Sequence, residues 1–177
     1  MQLKNHVLLM AEYNKSMNEQ IYTVADKLSL IQLNENRGSF FGSVFSTLNH
    51  IAVGDTIWLK RLSPTLHSHA ALDSVRELQN PESLETIICE NLYELKFRRA
   101  LLDEAFLNLA ASITEAELIE FVSYKNMKGE VFSKNLFSLL MHVFNHQTHH
   151  RGQVTTLLSQ FGLSYGVTDL VVYIPNM

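Results

Sequence analysis

The chain has 177 residues, 46% of them apolar and 18% charged, and a formal net charge of -4. That length suffices for one domain, residues 1–177, with a sizeable core, and the apolar share excludes a disordered chain. The acidic balance without a basic run argues against nucleic acid as a partner, and no stretch approaches the ~20 apolar residues of a membrane span.

Only three prolines and seven glycines interrupt the chain, which favours long helices. A first helix is expected over about Leu3 to Leu28, followed by a connector from Leu33 to Gly38. Ser39 reads as the cap of a second helix, Phe40 to Arg61, which Ser63-Pro64 ends. Thr65 to Gln79 reads as an irregular crossing with a short helical piece. Asn80-Pro81 reads as the start of a third helix reaching Ala111. Phe121–Tyr124 and Glu130–Phe132 flank Asn126-Met-Lys-Gly129, which predicts a small hairpin with glycine at its turn. Ser133 is a candidate cap for a fourth helix, Lys134 to Gln160, closed by Gly162. In the tail, Leu170–Ile174 reads as extended. The expected fold is all-α: a four-helix bundle with a small β-hairpin between the third and fourth helices. The N-terminus lacks a signal-peptide pattern, and the lone Cys89 excludes an internal disulfide. Together these predict a reducing cytoplasm.

The fourth helix carries Asn145-His-Gln-Thr-His-His-Arg-Gly-Gln153. His146 and His150 stand four residues apart, so they share a helix face and are spaced to grip one divalent ion. With Leu136 taken as the origin of a helical wheel, the apolar positions cluster within about 40° of it. His150 falls at about 320° and His146 at about 280° on that wheel. His142 and His149 lie at about 240° and about 220°, towards the polar face. The wheel selects His146 and His150 as the inward pair. A third ligand must come from elsewhere. His67 and His69 read as solvated loop residues, and His6 sits at the start of the first helix. His50, central in the second helix, shares a strip with Ser43, Thr47 and Gly54. That strip reads either as room for a ligand or as a solvent-facing polar face. Asn49, Asn145, His149 and Gln153 are placed to orient the rings. Arg151 lies near the apolar centre of the wheel. A partly buried guanidinium needs an anion, which favours pairing with an acid such as Glu12 or Asp55 over anchoring an anionic substrate. Cys89 reads as a packed apolar side chain.

Leu48-Asn-His-Ile51, Gly54-Asp-Thr-Ile-Trp58 and His146-x-x-His149-His-Arg-Gly-Gln153 resemble the DinB family of the DinB/YfiT-like metalloenzyme superfamily. The resemblance implies a four-helix bundle of that type with three histidine ligands, one from the second helix and two from the fourth. These map to His50, His146 and His150. It also implies a homodimer and, by likeness to superfamily relatives, either transfer of a low-molecular-weight thiol onto an electrophile or hydrolysis of a small-molecule substrate. Zinc is the expected ion, with nickel and iron as alternatives, since imidazole suits all three. Two other roles are open to the same residues. One is a structural metal bundle in which the ion only fastens two helices, and the other is a dimeric interaction module.

Overall fold

The computed structural model describes residues 2–176. Four long helices form the bundle: α1 Leu3–Ala25, α3 Val44–Leu62, α5 Leu92–Ser112 and α7 Leu136–Gln160. Three short helices join them: α2 Leu30–Asn34, α4 Asp73–Arg76 and α6 Glu115–Leu118. The antiparallel strands β1 Phe121–Lys125 and β2 Val131–Asn135 pair with Ser123 opposite Ser133. Helix α1 packs on α5 and α7, and α3 packs on α7 and α5. Leu48, Leu59, Leu102, Leu109, Leu140, Val143 and Leu158 fill the core, with the Phe106 and Phe144 rings 5.4 Å apart at its centre. Each such side chain contributes roughly 1.5–3 kcal/mol on leaving water. Among the described residues no helix is long and apolar enough to cross a membrane.

Several boundaries differ from the expectation, each for a local reason. Ser39 does not cap the second long helix. Gly42 has φ of 80°, a conformation suited to glycine, and its N–H closes a turn on the Ser39 carbonyl at 2.9 Å. Ser43 caps α3 instead, accepting from the Ser46 N–H at 3.1 Å. Asn80-Pro81 does not start α5. The chain stays irregular until Asn91, which caps α5 through the Glu94 N–H. Side chains of α3 claim the intervening backbone. Asn49 donates to the Thr86 carbonyl at 2.8 Å and accepts from the Ile88 N–H at 3.0 Å, and the Leu84 carbonyl faces His50. Backbone groups so committed are unavailable to a helix, and the run Thr86-Ile87-Ile88 is β-branched.

Ser133 lies within β2, and the cap of α7 is Asn135, which accepts from the Ser138 N–H at 3.0 Å. The short α2 and α6 were not anticipated, although each begins with a capping box, Ser29 with Gln32 and Thr114 with Glu117. The tail forms a 3₁₀ turn over Leu170–Tyr173 rather than an extended run. It lies against α1, where Tyr13 donates to the Thr168 carbonyl and Tyr173 meets Ser16 at 2.6 Å. The hairpin is where the sequence put it. Gly129 takes φ of 82°, and Asn126 Oδ1 accepts from the N–H groups of Lys128 and Glu130.

Candidate metal centre

Helices α3 and α7 bring three imidazoles together. One ring nitrogen each from His50, His146 and His150 lies within 4.8 Å of the others. The Nε2 atoms of His50 and His146 are 3.2 Å apart. Two nitrogens on one tetrahedral ion, each bonded at about 2.0–2.1 Å, stand roughly 3.3 Å apart, so this spacing suits a shared cation.

The second nitrogen of each ring determines what the first can do. His50 Nδ1 stands 3.0 Å from the Leu84 carbonyl, which only accepts, so that nitrogen carries the proton. His150 Nδ1 stands 2.9 Å from Gln153 Oε1 and donates to it. Both rings therefore leave Nε2 unprotonated, and that of His50 stands 3.2 Å from His146 Nε2. His146 differs, since its Nδ1 is buried without a hydrogen-bond partner. Its ring lies against Gly54, where a Cβ would fall 2.8 Å from Cε1. Only glycine at that position leaves room for the imidazole.

Electrostatics keep the set neutral. Burial, followed by the neighbouring imidazoles of His150 and His50, depresses the His146 pKa to about 3. Burial also lowers His50 and His150, partly offset by their hydrogen bonds to Leu84 and Gln153. Metal ligation needs unprotonated imidazole, so the cluster is ready for a cation near neutrality. Phe41 covers it, stacking on His50 at 3.8 Å between ring centres and meeting His150 edge-on at 5.5 Å. A cavity of about 300 Å³ opens beside His50, walled by Phe41, Leu84, Glu85 and Ile87.

The other candidates fall into place around this cluster. His149 is exposed, and so is Asn145. Gln153 Oε1 accepts from His150 Nδ1 at 2.9 Å. Asn49 hydrogen-bonds to the Thr86 carbonyl and the Ile88 N–H and to none of the three imidazoles. It is buried and pins the 84–88 segment, whose Leu84 carbonyl orients His50. The strip beside His50 is neither open nor solvent-facing. Ser43 caps α3, Thr47 is fully buried, and the space left by Gly54 is filled by His146.

Arg151 pairs with neither Glu12 nor Asp55. Its guanidinium, 4% exposed, donates to the amide oxygens of Asn14 and Asn18 and to Thr148 Oγ1. Asn14 and Asn18 in turn donate to Asp103. Asp55 is taken by Arg99, which also meets Asp103 at 3.1 Å. His69 is not solvated. It is buried between Ser112 and Glu117, at 3.0 and 2.7 Å. Cys89 is a buried free thiol whose pKa burial raises, as its apolar reading implies.

Comparison with known proteins agrees with the architecture. The model of the DinB family matches residues 1–176. Protein DinB of Bacillus subtilis (strain 168) is 27% identical over 163 residues, covering 92% of this chain and 90% of that protein.

Proposed function

This chain belongs to the DinB family, and on that premise we propose that it is a divalent-metal-dependent enzyme acting on a small molecule. The reaction is transfer of a small thiol to an electrophile, or a hydrolysis. His50, His146 and His150 hold the ion, with zinc favoured and nickel or iron accommodated by the same ligands. The observation that carries the reading is the pair of bare Nε2 lone pairs, each fixed by an acceptor on the far side of its ring. With three neutral imidazoles around it, a bound divalent ion would keep its full charge and would supply Lewis acidity towards a thiol or water.

The protein's own groups hold and shield the site. The Leu84 carbonyl and Gln153 orient two rings, Gly54 admits the third, and Phe41 limits water over the cluster. The cavity beside His50 offers space for a substrate, which favours catalysis over a purely fastening role. A homodimer working in the cytoplasm, each protomer one domain, completes the proposal. The free thiol of Cys89 fits a reducing compartment, and the family match over residues 1–176 fits a single domain.

The test is metal removal and return. Stripped protein should be inactive on a panel of thiols with electrophiles, and on ester and amide substrates, and zinc, nickel or iron should restore turnover. Metal bound at one ion per chain without turnover on any substrate would favour the fastening role instead.

A further inference from the structure

A second cavity, of about 250 Å³, lies where the C-terminal end of α3 meets the hairpin. Its lining includes Lys60, Arg61 and Lys125 and no carboxylate, on a chain whose net charge is -4. Among the described residues neither Arg61 nor Lys125 forms an ion pair, although Arg76, Arg99, Lys15 and Lys96 all do. Lys60 spends its ammonium on the carbonyls of Arg76 and Leu78, so it adds charge while being held in place. Arg61 lies over the Trp58 and Tyr124 rings, 5.0 and 5.6 Å from their centres. Those contacts fix the guanidinium plane but leave its charge uncompensated, and burial lowers its pKa. The hairpin acid Glu130 accepts from the Asn126 amide and does not line the cavity.

We propose that this cavity binds an anionic oxygen group, a carboxylate or phosphate. The site stands independently of the metal-site reading. His50, Gly54 and Arg61 fall within about 40° of one another around α3. Arg61 is two turns, about 10 Å, beyond the glycine that His146 covers. The segment that starts at Asn80 and Pro81 on the cavity wall continues to Leu84 at His50, so one strand of backbone borders both sites. An anionic group there gains a planar donor in Arg61 and an exposed cation in Lys125, at charge-assisted strength.

The test is a titration of the isotope-labelled full chain with inorganic phosphate, and separately with acetate, at constant ionic strength. Saturable amide shifts are expected at residues 60–61 and 125–127. Arg61→Gln and Lys125→Gln should each weaken phosphate binding about tenfold. Lys125 is exposed on the hairpin, so its variant keeps the test valid even if Arg61→Gln disturbs packing. Shifts that spread over the whole surface, fail to saturate, or persist in both variants would overturn the proposal. Zinc titration of the same samples separates the two readings. Phosphate binding without zinc binding would sink the histidine site alone, and zinc binding without localised phosphate shifts would sink the anion site alone.

Discussion

Gly54 and His146 are in contact across α3 and α7, with space for hydrogen and not for a methyl group between them: a Cβ at Gly54 would stand 2.8 Å from Cε1 and 3.3 Å from Nδ1. Helical propensity alone predicts that Gly54→Ala stabilises α3 by about 1 kcal/mol. The contact predicts the opposite for the site. Displacing a ligand ring should weaken metal binding by about 10–100-fold, as loss of orientation generally does. Parallel melting and zinc titration of the variant measure both effects, and unchanged zinc affinity would show that His146 is not a ligand.

Gln153→Ala should act through His150. Losing the 2.9 Å contact to Nδ1 frees the tautomer and the ring, with an expected drop in metal affinity of about 10–100-fold. His149→Ala, which removes an exposed ring next in sequence to His150, should leave affinity unchanged. Equal losses in the two variants would point to a different ligand set.

Acid should destabilise the metal-free protein through the same histidines. An unfolded histidine titrates near 6.5, whereas burial and neighbouring imidazoles hold His146 at about 3 in the fold. Between those values the unfolded chain binds a proton that the folded chain does not. Stability is therefore full above pH ~6.5 and falls as pH drops towards 3, by up to a few kcal/mol after allowing for partial exposure. Urea midpoints of stripped protein between pH 7.5 and 4.5 should show this slope, and His146→Asn should flatten it. Burial raises Asp55 to about 6, which acts with the opposite sign, so the difference between parent and variant carries the test, and a slope left unchanged by His146→Asn would refute the assignment.

Arg99 holds together the buried charges between α1, α3 and α5. Asp55 and Asp103 are 0% and 3% exposed, and both face its guanidinium. Burial opposes the Arg99 charge, but the carboxylates of Asp103 and Asp55 outweigh it and raise the pKa. Arg99→Met leaves two acids uncompensated and should cost about 3–5 kcal/mol in urea unfolding. Adding Asp55→Asn and Asp103→Asn should recover part of that loss. Near-neutral behaviour of the single variant would mean that water already satisfies the acids.

The sequence displays the clustered histidines better than it displays the groups that orient them. His146 and His150 are legible because their spacing matches the helical repeat and their wheel angles border the apolar face. His50 needed the family resemblance, because its own strip of small residues reads equally well as room or as surface. The hairpin is visible through the glycine at its turn and the short runs that flank it. Leu84 is hidden because a backbone carbonyl leaves no mark in sequence, and the Asn49 contacts that hold it also turn a plausible helix start at Asn80-Pro81 into an irregular segment. Arg151 was assigned an acid, yet two asparagines stand between it and Asp103, a relay that one-dimensional spacing does not disclose.

The central claim is that three imidazoles converge on one cation, and calorimetric titration of stripped protein with zinc tests it most directly. One ion per chain should bind at micromolar concentration or tighter, and His50→Ala, His146→Ala and His150→Ala should each weaken binding by tenfold or more, as expected when one of three ligands is lost. No binding at micromolar zinc, or binding unaffected by all three substitutions, would contradict it.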